Sequence, residues 1–205
     1  MKSPTLIQLF LLITGIVLCT DLKAQTGYFK TSKDFDNHNI VEFEEVSFVS
    51  SAFGCNVNFW KNDKKQERLD QHDIFGFVDK GAYYRFYKYA IIHVLVRGEI
   101  SFFGLVPTTL SFDEKEKVFT IRGTDKMLLF VSDGPSGELK RLSKKNLLEL
   151  VANDEEVFNL YKSREIDHLN CILLYNVKHP APDAFVMNNK EQMTLDELSS
   201  YIDED

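Results

Sequence analysis

"IFGFVDKGAYYRFYKYAIIHVLVRGEISFF", residues 74–103, places nine aromatic side chains in thirty positions and mixes them with single charges. Its reading decides the fold. The stretch parses into four short strands: 74–78 turns through Asp79-Lys80-Gly81 into 82–89, and 91–96 turns through Arg97-Gly98 into 99–105. Turn residues between alternating apolar runs are the signature of β-hairpins. In the third strand Ile92, Val94 and Val96 point one way, while Ile91, His93, Leu95 and Arg97 point the other. The alternation expects Ala82, Tyr84 and Phe86 to join Ile92, Val94 and Val96 in the core. The opposite face then displays Tyr83, Arg85, Tyr87, Tyr89 and His93. Most of the rings are expected to close a core, with Tyr83, Arg85 and Tyr87 as the exposed remainder suited to recognition, because Tyr and Arg combine large contact area with hydrogen-bonding tips.

Upstream of this block, "VEFEEVSFV" alternates with one slip at Glu44-Glu45, and "CNVNFW" sets Cys55, Val57 and Phe59 against Asn56, Asn58 and Trp60. "NDKKQERLDQHD" reads as a polar connector, and "TSKDF" as a single helical turn. Downstream, strands are expected at 117–122 and 127–132, the latter turning through "DGPSG" into 138–142. The period then changes. Ser143 is placed to cap a helix carrying Leu147, Leu148 and Val151, and Asn153 with Glu156 to start a second one holding Val157, Phe158 and Tyr161. Ile166, Leu169, Ile172 and Leu173 continue at helical spacing. Lys144 and Lys145 fall in a first helical turn, where the macrodipole disfavours cations. "HPAPD" breaks the helical run at 179–183, leaving a linker and a short helix in "TLDELSSYI", with Thr194 and Glu197 as a capping box, before an acidic tail.

Strands first and helices afterwards predict an α+β domain: an antiparallel sheet of about six to eight strands followed by a C-terminal helical layer. The expected organisation is a signal peptide over 1–24, a single α+β domain over 26–178, and a linker, short helix and tail over 179–205. The first segment has the order of a secretory signal: Lys2, a 14-residue apolar run over 6–19, then a polar stretch closing on Ala24. A bilayer span takes about 20 apolar residues, so no transmembrane span is expected in the mature chain. Leu18, before Cys19, is not the small residue that precedes a lipid-modified cysteine in bacterial lipoproteins.

With a formal net charge of −7, the chain is a poor polyanion binder, which sets aside nucleic acid and anionic membrane surfaces. Export makes a Cys55–Cys171 disulfide permissible; two buried free thiols are the alternative. The five histidines are scattered, and no HExxH, CxxC, Walker or G-x-S-x-G pattern occurs, so no cofactor is expected. The densest polar cluster is Asp70, His72 and Asp73, where an extended backbone would set Asp70 and His72 on one side for a divalent ion or a general base. A polar loop before a strand accounts for the same residues.

Gly27, Tyr28, Asp34 and Phe35, then Gly76, Phe77, Tyr84, Arg85 and Phe86, give the chain a pattern that resembles a loose group of exported Bacteroidota proteins. The resemblance covers about half of the mature chain. It implies export and a sheet-rich domain, and it assigns no activity or site. The functional expectation is a non-enzymatic periplasmic or surface-associated binding module with an envelope protein or small ligand as partner. A secreted hydrolase or metal-dependent enzyme using Asp70 and His72, and an accessory subunit of an envelope assembly, are the alternatives.

Overall fold

The computed structural model describes residues 25–51, 54–62, 64–106, 109–113, 118–122, 128–188 and 191–194. The expected signal peptide over 1–24 lies outside them, as does the expected C-terminal helix beyond Thr194.

The hairpin of β6 (Gly76–Asp79) and β7 (Ala82–Tyr87) forms where the sequence placed it. Lys80 and Gly81 hold φ of 50° and 80°, the two positive values that a tight turn between right-twisted strands requires. β8 (Ala90–Arg97) and β9 (Ile100–Leu105) form the next hairpin. Its turn is closed from the helical side by Asn176, whose amide accepts from Ile100 N at 2.8 Å and donates to Ile100 O at 2.8 Å. A side chain here substitutes for a strand. Gly98 makes the approach possible, because a Cβ there would meet the Asn176 amide at 2.7 Å.

Among the described residues the large sheet has 12 strands. β8 is shared by three neighbours, β7, β9 and β14 (Phe185–Asn188). Through β7 the sheet continues to β6, β1 (Gly27–Phe29) and β2 (Val41–Glu42). Through β14 it reaches β10 (Thr109–Asp113), β11 (Val118–Arg122) and β15 (Glu191–Thr194), and through β9 it reaches β12 (Leu129–Asp133) and β13 (Lys140–Arg141). All pairings are antiparallel except a single parallel bridge between β10 and β14, Leu110 to Asn188. A separate three-stranded antiparallel sheet holds β3 (Glu45–Ser51), β4 (Gly54–Lys61) and β5 (Lys64–Asp70). The protein is thus α+β with antiparallel sheets, and it has more strands than the sequence suggested. The stretch read as a polar connector is β5: only one of its faces is covered, so Glu67 and Leu69 are half-buried while Lys64 and Arg68 are exposed. The expected linker after residue 178 likewise returns to the sheet. Phe185, Val186 and Met187 are all buried, and Thr194 is the last residue of a strand, with its expected capping partner Glu197 outside the described residues.

Three apolar clusters hold these layers. Cys55, Val57 and Phe59 of β4 pack on Phe77 and Ile91 of the large sheet, with Tyr84 and Phe86 beside them. Phe48 adds ring contacts at 5.1 Å to Phe77 and 5.4 Å to Tyr84. Each fully buried Val or Phe contributes about 1.5–3 kcal/mol, which is what docks the small sheet. The opposite face of β7 meets Phe29, Phe35, Phe130 and Phe185. The third cluster lies beneath α2 (Lys144–Leu150), α3 (Glu155–Ser163) and α4 (His168–Lys178), where Val96, Ile100, Phe102 and Val131 meet Leu147, Val157 and Ile172.

A register shift in β8 between Val94 and Val96 corrects the simple alternation. One extra residue in a strand sends every later side chain to the other face. Ile92 and Val94 therefore stay in the aromatic cluster, Val96 joins the helical one, and Arg97 turns inward beside Phe35 and Tyr83.

The helices start on side-chain caps. Ser143 accepts from Asn146 N, Asp154 from Val157 N, and Asp167 from Asn170 N, each worth about 1 kcal/mol. The second cap is Asp154 and not Asn153, since the Asp154 carboxylate also takes Lys178 and His179. Arg164, with φ 70°, ends α3, so Ile166 lies between helices. Lys144 stops being an anomaly: its ammonium donates to Lys162 O at 2.9 Å, at the C-terminal end of α3 where the dipole favours a cation.

Candidate interaction surface

The three residues expected to form a recognition face are not available. Tyr83 is 4% exposed and Arg85 7%, while Tyr87 is half-buried with its ring 4.4 Å from Phe130. Alternation distinguishes two faces of a strand, but it does not reveal that the second face has a layer of its own. Here the small sheet covers the Tyr84 face, and the aromatic cluster around Phe29, Phe35 and Phe130 covers the Tyr83 face.

Arg85 instead fixes the "DGPSG" turn. Its Nη1 donates to Pro135 O at 2.7 Å and Gly137 O at 3.1 Å, and its guanidinium lies 4.6 Å from the Phe75 ring centre. Burial pushes its pKa down to about 10, with Asp36 pulling the other way. Ser136 ties the same turn to Asp36 by a 2.6 Å hydrogen bond. Asp36 closes α1 (Ser32–Asp36), which begins in a Thr31–Asp34 capping box.

The polar group that the sequence did not single out is the one around Arg97, which is fully buried. Its Nε and Nη2 donate to Asp183 Oδ2 at 2.8 and 2.6 Å, and Nη2 also donates to Phe35 O and Asp36 O. His38 bridges Asp183 at 2.6 Å and the Tyr83 hydroxyl at 2.9 Å. Burial alone would raise the Asp183 carboxyl, but the hydrogen bonds from His38 and Arg97 outweigh it and hold the pKa at about 2. With Arg97 neutralising the carboxylate and Tyr83 buried, the arrangement is a staple joining α1, β7, β8 and the segment before β14. Alternation gives no signal for it, since it sends Arg97 to the other side; the bulge in β8 brings it here.

Asp70, His72 and Asp73 do come together, as a turn. Asp70 Oδ1 accepts from His72 N at 2.6 Å, and Asp73 Oδ2 accepts from Asp70 N at 2.9 Å. Both carboxylates thus serve the backbone between β5 and β6, with the His72 residue exposed. Among the described residues, no three His, Cys, Asp or Glu side chains are grouped to hold a metal ion. Cys55 and Cys171 are buried free thiols in two different clusters, so the permitted disulfide is not formed. Burial, followed by Asp167, pushes the Cys171 thiol up to about 12.

Two open clefts flank α3. One, of about 640 Å³, is lined by Glu156, Asn159, Lys162 and Ser163. The other, of about 620 Å³, lies between the ends of α3 and α4 and is lined by Lys144, Tyr161, Arg164, Asp167 and His168. Their polar groups are engaged locally: Lys144 donates to Lys162 O, Asp167 accepts from Asn170 N, and in the first cleft Ser163 Oγ donates to Glu165 Oε1 at 2.6 Å while also lying within hydrogen-bond reach of Asn159 O and Leu160 O at the end of α3.

The surface with recognition chemistry is the outer face of the small sheet. Inward Cys55, Val57 and Phe59 alternate with outward Asn56, Asn58 and Trp60, the only tryptophan in the chain. The register sets Ser47, Asn58 and Arg68 in one row across the three strands and Val49, Asn56 and Asp70 in the next. Arg68 Nε donates to Asn56 Oδ1 at 3.2 Å, holding that amide in place. Val49 is 61% exposed. A half-exposed indole beside amides, a guanidinium and a bare valine gives flat contact area with donors and acceptors at its margin.

Compared with protein-family models, curated proteins and solved structures, the chain matches none. No helix among the described residues is long and apolar enough to cross a membrane.

Proposed function

We propose that this protein is an exported, non-enzymatic binding or interaction module that meets an envelope protein or a small ligand through the outer face of the small sheet. One observation carries the reading: the faces of β6–β8 are spent on packing, whereas the three-stranded sheet turns Trp60, Asn56, Asn58, Arg68 and Val49 to solvent. The signal-like first 24 residues support export. The acidic composition argues against a polyanionic partner.

A second version of the same reading is an accessory subunit of an envelope assembly, in which protein covers Val49, 61% exposed on the small sheet. The enzymatic alternative through Asp70 and His72 has less support, because the two flanking carboxylates are occupied by turn amides.

The test is affinity capture of a tagged copy from its own cells after gentle cross-linking, with the mature N-terminus read by mass spectrometry. The expected result is a stoichiometric partner retained by the wild type and lost by Trp60→Ala and Arg68→Glu. A partner retained equally by both variants would overturn the assignment of the surface. Robust turnover abolished by Asp70→Ala or His72→Ala would overturn the non-enzymatic reading.

A further inference from the structure

The small sheet has two free edges among the described residues, and they are built differently. β5 carries Lys64, Glu67, Arg68 and Asp70, and its register against β4 slips between Phe59 and Trp60. Charges and bulges are how natural sheets keep an edge from recruiting another strand. β3 has neither protection. Its seven residues pair with β4 without a break, its single charge is Glu45 at the start, and it contains no Pro or Gly. Val49, the most exposed large apolar side chain among the described residues, lies on this edge.

We propose that β3 is a dimerisation edge: two copies of the chain pair antiparallel about Phe48, joining the small sheets of both into one continuous sheet. This rests on the reading of the small sheet as an interaction module and goes beyond it, adding a second copy at the β3 edge to the partner met by the outer face. Charge selects this register. Each chain carries a net charge of −7, so two copies associate only where their acidic residues stay apart. Pairing about Phe48 sets each Glu45 opposite Ser51 of the other copy, with the two Glu45 residues about 20 Å apart at about 3.4 Å per residue. Shifting the pairing toward the start of β3 would bring the glutamates together. The apolar content agrees. Ser47 and Val49 share the solvent face; in this register each Val49 lies opposite Ser47 of the other copy and diagonal to the second Val49, within about 8 Å. The most exposed valine is thereby covered. On the inner face, Val46 and Phe48 of both copies extend the apolar layer that already packs on Phe77 and Tyr84.

The experiment is sedimentation equilibrium on the protein recovered from its own cells, over a concentration range from about 1 to several hundred micromolar. The expected result is a monomer–dimer equilibrium whose dissociation constant rises at least tenfold in Val49→Lys, with an unchanged far-UV circular dichroism spectrum. Register is read separately. A double variant, Ser47→Cys with Val49→Cys, forms an intermolecular disulfide on mild oxidation, whereas either single variant does not, because its thiols sit on the longer diagonal. A monomer at every concentration overturns the proposal, as does a dimer indifferent to Val49→Lys. A monomeric protein that still captures a different envelope protein through Trp60 and Arg68 overturns the dimer and leaves the proposed function standing. A β3 dimer whose captured partner ignores Trp60→Ala does the reverse.

Discussion

The large sheet and the small sheet use similar alternating strands to opposite ends. β7 presents Tyr83, Arg85 and Tyr87 on one face and Tyr84 and Phe86 on the other, and both faces are packed. β4 presents Cys55, Val57 and Phe59 inward and Asn56, Asn58 and Trp60 outward; the first set is fully buried and the second is partly exposed. The difference teaches that an aromatic-rich strand announces a surface less reliably than an amide-rich one. Tyr and Arg are large enough to be worth burying when their polar tips find partners, as the Tyr83 hydroxyl does in His38 and Arg85 in two turn carbonyls. Asn56 and Asn58 offer little apolar area in return for desolvation and stay outside.

Breaking the packed side should cost most. Arg97→Met removes the cation that holds Asp183 and the last carbonyls of α1. It is expected to destabilise the protein by about 3.5–5 kcal/mol, from the Phe35 and Asp36 carbonyls left without a donor at about 1 each and about 1.5–3 for the charged hydrogen bonds to the partly exposed Asp183, measured by urea denaturation. Asn176→Ala comes next. It leaves Ile100 N and Ile100 O buried without partners, an expected loss of about 2–4 kcal/mol at about 1–2 for each orphaned group, seen as a fall in the urea midpoint with an unchanged slope.

Acid titration sharpens the contrast. The folded Asp183 carboxyl titrates near 2, below its ordinary value near 4, so its contribution is fully present above about pH 5 and is lost as pH falls toward 2. Asp154, whose carboxyl is held well below the usual range, acts in the same sense: burial opposes the shift, but Val157 N, Lys178 and His179 outweigh it. Asp183→Asn is therefore expected to flatten the dependence of the thermal midpoint on pH between 5 and 2. An equally steep curve in that variant would show that the staple carries no linkage.

The smallest effect belongs to the bare face. Asn58→Lys and Trp60→Ala, at partly exposed positions, should each change stability by about 1 kcal/mol or less. A larger loss would mean that this face is packed in the native state. Trp60 itself offers a check on whether the two sheets are one cooperative unit. Because the small sheet is docked through Val57, Phe59 and Phe48, urea transitions followed by tryptophan fluorescence and by far-UV circular dichroism should coincide.

Much of this architecture was legible in the residues. The hairpin at Lys80-Gly81, the break at Glu44-Glu45, the helical turn after Thr31 and the cap at Ser143 are local events written in turn and capping chemistry, and they form as read. The connector that became β5 was not legible, because an edge strand with one wet face has the composition of a loop. The linker that became β14 was missed because Phe185-Val186-Met187 is too short to show a period. The polar cluster at Asp70, His72 and Asp73 was found in sequence, but its role as a hydrogen-bonded turn depends on where the backbone amides point.

Sequence alone determined the α+β class, the hairpins, the helix start at Ser143 and the acidic character, because each follows from neighbours a few residues apart. The tertiary structure decided which faces are covered, that the buried Arg97 and not Arg85 anchors the Asp183 carboxylate, and that Cys55 and Cys171 stay apart. These depend on one extra residue in β8 and on layers brought together from distant parts of the chain, and no local periodicity encodes a distance between segments that meet only after folding.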